Sequence, residues 1–147
     1  MTLAFVLASS TWAAPATPLL QRETVPANTP QAVWTRCVVY SDHVTVDVRR
    51  DGTTEAPLTR PLRFTQEVAS VDAVIAFATA ARAAAVSPSV PAPTDMADVR
   101  DDVLGPSGVP DGILRRRASG QENLSEEGRT LVRFLDTNCA PATTPPN

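Results

Sequence analysis

The stretch Trp34-Thr35-Arg36-Cys37-Val38-Val39-Tyr40-Ser41-Asp42-His43-Val44-Thr45-Val46-Asp47-Val48-Arg49-Arg50 decides the fold class. From His43 to Arg50 apolar and polar residues alternate, with Val44, Val46 and Val48 pointing one way and Thr45, Asp47 and Arg49 the other. This is the period-two pattern of a strand with one buried face. Trp34 to Tyr40 is rich in β-branched and aromatic residues, and Val33, Cys37 and Val39 share a face. Ser41-Asp42 between the two runs is a tight turn, so the stretch reads as an antiparallel hairpin. Asp51-Gly52 is a second turn signal, because glycine supplies the positive φ such turns need. The folded part of the chain therefore opens with strands, and later elements must cover their valine side.

Working outward, Glu55 to Phe64 is a third extended piece, which Pro57 and Pro61 confine to a sheet edge. Thr65 to Ala85 predicts a helix: Thr65 caps it, Glu67 complements the dipole, and Val68, Val71, Ile75 and Ala78 form one stripe. Ser87-Pro88 ends it. From Val86 to Gly112 the chain reads as irregular and proline-rich, with Thr94-Asp95 capping a short helix that presents Met96, Val99 and Val103. Val109-Pro110-Asp111-Gly112 is a turn, and Ile113 to Ala118 a strand. A last helix starts at Asn123 or Ser125 and lines up Leu131, Val132, Leu135 and Cys139. The expected architecture is α+β: a small antiparallel sheet of three or four strands packed against two α-helices. Its element order is strand, strand, edge strand, helix, loop, strand, helix.

The flanks point to export. Leu3 to Ala8 is a short apolar run, and Thr11-Trp12-Ala13 satisfies the small-x-small cleavage rule, so residues 1–13 read as a signal peptide, although no Arg or Lys precedes the run. Residues 14–31 read as a flexible Pro/Ala/Thr-rich leader, 32–139 as a single domain and 140–147 as a disordered tail. No segment approaches the roughly 20 apolar residues of a membrane span, so none is expected after signal cleavage. The two cysteines support the same location. Cys37 lies on the valine side of the first strand and Cys139 on the apolar stripe of the last helix, so a helix packed on the sheet brings both sulfurs into one layer. One disulfide between them is expected in a secreted or periplasmic protein. It matters because alanine supplies much of the 43% hydrophobic content and buries little area. Every basic residue is arginine, which with abundant Ala, Pro and Val reads as GC-rich, bacterial coding. A net charge of −3 is too small to argue for nucleic acid or an anionic membrane surface, and no nucleic-acid partner is expected.

No residue pattern amounts to an active site. His43, the one histidine, follows Asp42, but neighbours in a hairpin face opposite ways and no nucleophile-elbow motif accompanies them. It reads as a solvent-facing turn residue, and a small hydrolase using His43 is the remote alternative. One histidine and two bonded cysteines do not make a zinc site, and no metal or other cofactor is expected. Asp95, Asp98, Asp101 and Asp102 form an acidic run without the Asp-x-Asp-x-Asp-Gly order of a calcium loop. In Arg115-Arg116-Arg117 the outer two share a face and Arg116 points away. That suits a charged edge strand, pairing with the acidic run, or docking of an acidic partner. Asn123-Leu124-Ser125 matches the glycosylation sequon, but helix capping explains the same residues. The functional expectation is an exported, non-catalytic binding module that presents the loop 86–112 to a protein partner. Its contact residues would be Pro91, Pro93, Asp95, Asp98, Arg115 and Arg117. A protease inhibitor inserting that loop into an enzyme cleft is the narrower alternative.

Overall fold

Strands β2 (Val33–Tyr40) and β3 (His43–Arg50) pair antiparallel across the Ser41-Asp42 turn, with Val39 opposite Val44 and Cys37 opposite Val46. The computed structural model describes residues 12, 14–27, 32–88 and 97–140. Asp51 and Gly52 both adopt positive φ (49° and 77°), the left-handed pair a two-residue hairpin turn requires. They return the chain as β4 (Thr53–Thr54) along the end of β3, and β5 (Leu58–Pro61) pairs further along the same edge. Pro61 is tolerated there as expected, because an edge strand has amides with no ladder partner to lose.

The sheet is larger than expected. Residues 18–25, read from sequence as part of a flexible leader, form β1 (Pro18–Val25). Residues 98–104, read as part of a short helix within an irregular loop, form β6 (Asp98–Leu104). These two strands pair with each other at the centre of an antiparallel sheet of order β4-β3-β2-β1-β6-β7-β8, in which β7 is Pro110–Arg116, β8 is Gln121–Glu122 and β5 lies off the path on β3. Counting β5, the sheet has eight strands rather than three or four. The turn between β6 and β7 falls at Gly105–Val109, where the Gly105 amide donates to the Val109 carbonyl at 2.8 Å. Thus Pro110 and Gly112 belong to a strand and not to the expected loop. Pro91, Pro93 and Asp95 lie outside the described residues, as do most of the expected signal segment and residues 141–147 of the expected tail.

Two helices pack on one face. Helix α1 (Val71–Ala83) starts later than Thr65, because Thr65 and Val68 close a turn on each other. That turn seats Val68 with no exposed surface, and Ser70 then caps the helix. Helix α2 (Glu126–Asn138) is capped by the Ser125 hydroxyl, which accepts from the Gly128 amide, with two glutamates in its first turn. Val74, Ala78 and Ala81 of α1 and Leu131, Phe134 and Leu135 of α2 are buried against Leu20, Val39, Val44, Val103 and Leu114 of the sheet.

Asn123, fully buried, ties the two helices to the sheet. Its amide nitrogen donates to the carbonyls of Ala81 and Ile113, and its oxygen accepts from the Ser125 amide. The sequon residue is thus a structural tie whose nitrogen is committed. A Cβ at position 128 would lie 2.4 Å from the Asn123 oxygen, so only glycine permits this approach. The expected disulfide is present: Cys37 of β2 joins Cys139 at the end of α2, with Cα atoms 5.7 Å apart and 102 residues between them in sequence. In the chain-entropy picture a loop of that length contributes about 4–5 kcal/mol. No described helix is long and apolar enough to cross a membrane.

Candidate functional site

The helices cover only half of their sheet face. Strand register places Val44, Val39, Leu20 and Val103 side by side beneath them. One step along, the row is Val46, Cys37, Arg22, Asp101 and Arg115. The next is Val48, Thr35, Thr24 and Val99, continued by Arg117, whose amide donates to the Val99 carbonyl. The end of α2 still reaches the second row, where Arg22 meets Asp136, and this row and the next form the floor of a groove of about 960 Å³. That volume is in the range of sites that hold small molecules or short peptide segments. One bank carries Arg50 of β3 with Leu58 and Arg60 of β5; the opposite bank carries Arg115 and Arg117. The end of α2, with Asp136, Cys139 and Ala140, closes the side.

The arginines differ in how far they are already satisfied. Arg22 holds the fully buried Asp101 through Nε at 2.7 Å and Nη2 at 2.9 Å, and reaches Asp136 with Nη1 at 2.6 Å. Burial works against its charge, but hydrogen bonds and charge from Asp101, then Asp136, outweigh that and hold its pKa above the ordinary arginine value. Arg115 shares Asp101 at 2.9 Å. Arg50 makes only an exposed pair with Glu55 at 3.3 Å, a contact worth little in solvent. Arg60 donates through Nη2 to the Ala140 carbonyl at 2.8 Å, while its buried Nε has no partner among the described residues. Arg117 is exposed, and its hydrogen bonds among the described residues are made by its backbone alone.

Five guanidiniums therefore meet three carboxylates, those of Glu55, Asp136 and the underlying Asp101. The groove is locally positive on a chain whose net charge is −3. A guanidinium presents a fork of N–H donors that matches a carboxylate or phosphate, and an apolar floor of Val46, Val48 and Val99 strengthens such a bond by keeping water away. The arrangement can hold an anion; it offers no nucleophile with an adjacent base.

Of the contact residues expected from sequence, Arg115 and Arg117 line the groove on a shared face, with Arg116 pointing away. Asp98 lies on the opposite face, bonded to Arg100 at 2.8 Å and to the Ala118 amide at 3.0 Å. Burial pushes its pKa up, but those hydrogen bonds and the charges of Arg100 and Arg116 bring it below the ordinary aspartate value. Asp102, also on that face, is held by Arg116 through two hydrogen bonds of 2.9 and 2.6 Å, yet burial keeps its pKa raised. The arginine run thus pairs with the acidic run inside the molecule. Asp101 and Asp102 point to opposite faces because they are neighbours in strand β6, so the acidic run is divided between the two sides of the sheet. His43 stacks on Tyr40 with ring centroids 4.6 Å apart and pairs with Asp42, on the face away from the groove. Among the described residues no three His, Cys, Asp or Glu side chains converge to hold a metal ion.

Sequence reading missed Arg22, Arg50 and Arg60. Only Arg50 carried a local signal, since it continues the parity of Val44, Val46 and Val48. Compared with protein-family models, with curated proteins and with solved structures, the chain matches none.

Proposed function

We propose that this chain is a non-catalytic binding module of the periplasm or cell exterior, and that it holds an anionic ligand in the arginine-lined groove. The observation that carries the reading is the excess of guanidiniums over carboxylates around an apolar floor, with Arg117 exposed and its side chain unpaired among the described residues. An anionic ligand gains charge-assisted hydrogen bonds from such guanidiniums beside an apolar surface. The disulfide suits a compartment where thiols stay oxidised. The one histidine stands on the other face, which favours binding over proton-transfer chemistry in the groove. The contact region moves accordingly, from the loop 86–112 to the bare sheet face, keeping Arg115 and Arg117 of the residues first singled out.

Nuclear magnetic resonance tests this directly. Titration with short acidic peptides, octanoate and inorganic phosphate should shift the amide signals of Thr24, Thr35, Val48 and Val99, and should weaken steeply with added salt. Shifts confined to Tyr40 and His43, or none with any anion, would remove the groove as the site.

A further inference from the structure

We infer that the occupant of the groove is an extended acidic segment of a protein partner, carrying two carboxylates that flank an apolar stretch. This rests on the anion-binding reading above and specifies it. The positive charge is not gathered at one point. Arg50 and the half-buried Arg60 stand on β3 and β5, and Arg117 stands just past β7, on opposite banks. Between them the central guanidinium, Arg22, is already matched by Asp101 and Asp136, and the floor is valine and threonine. A free phosphate or a single-headed amphiphile satisfies one bank and leaves the other open.

The span sets the spacing of the two charges. From β5 to β7 the sheet takes five strand steps, about 24 Å, and register offsets Arg60, beside Val44, from Arg117, in the Val48 row, by four residues along the strands, so the Cα span is on the order of 27 Å. Two long side chains reaching inward shorten this to on the order of 13 Å, the distance an extended chain covers in four residues. Residues four apart in an extended chain share a face, so both carboxylates point down while the side chain midway between them meets the valine floor. Thr24 and Thr35, paired across β1 and β2, add hydroxyls beneath the middle of such a segment.

The test uses fluorescence anisotropy of a labelled, end-blocked peptide Glu-Thr-Val-Thr-Glu and its two single Glu-to-Gln versions, against the full chain. Each loss of a carboxylate should weaken binding about tenfold. Arg117→Gln should erase the penalty for one glutamate and Arg60→Gln the penalty for the other, with folding of each variant checked by its thermal melt. If Arg60→Gln does not fold, the cycle between Arg117→Gln and the three peptides still decides. Equal binding of all three peptides, or displacement of the parent by octanoate or phosphate at matching concentration, overturns the two-bank inference while leaving anion binding intact. Failure of every acidic probe to bind overturns both.

Discussion

On β3, Val44 lies under the helices with 1% of its surface exposed, whereas Arg50, on the same face six residues along, stands at the open rim of the groove. The same change runs down β1 from Leu20 to Arg22 to Thr24, and down β6 from Val103 to Asp101. The two halves of one sheet face obey the same alternation and end in different states. Period two decides which side a residue faces; what covers that side is decided by where α2 stops. It stops at Cys139, whose disulfide to Cys37 marks the boundary between the covered half and the bare one. The covered half is stabilised by apolar burial. The bare half keeps its charges because buried Asp101 gathers Arg22 and Arg115 beneath the surface, while Arg117 stands exposed beside them.

The sharpest way to break this contrast is in the covered half. Phe134→Ala removes a ring that is 1% exposed between α2 and the sheet. It should lower the stability of unfolding in urea by about 3–5 kcal/mol. A loss under about 1 kcal/mol would mean that α2 does not close a packed interior. At the boundary, replacing Cys37 and Cys139 together with alanine should cost about 2–4 kcal/mol. Hydrogen exchange should then quicken first at the last turn of α2, around Asn138, and β2 should stay protected. Uniform loss of protection would show that the disulfide supports the whole domain and not this edge. In the bare half, Arg117→Gln should change stability by no more than about 0.5 kcal/mol, because its side chain has no partner among the described residues. A larger fall in a denaturation curve would mean that Arg117 supports the fold, and the division between a structural half and a binding half would blur.

Legibility from sequence followed the same divide. The β2–β3 hairpin, the Asp51-Gly52 turn, the edge placement of β5 and the disulfide all came from local patterns: alternation, turn residues, proline and the side on which each cysteine fell. Strands β1 and β6 did not. Gln21-Arg22-Glu23-Thr24 has no apolar face, and Asp98 to Asp102 reads as a solvated acidic run. Their polar groups are satisfied by each other and by groups distant in sequence. Glu23 accepts from the Trp34 indole, Gln21 from Arg36, and Asp101 from Arg22. Arg115 and Arg117 could be placed on a common face, but nothing in the chain showed that Arg50 and Arg60 would stand across from them.

By itself, then, the sequence determined the β2–β3 hairpin with its inward face, the edge strand β5 and the two helices, because those features depend on residues within a few positions of one another. The tertiary structure alone decided that the most polar strands lie at the centre of the sheet and that half of one face is left open with arginines on both banks. The reason is physical: Arg22 meets Asp101 across 79 residues of chain and Asp136 across 114, and such partners exist only once the sheet has assembled.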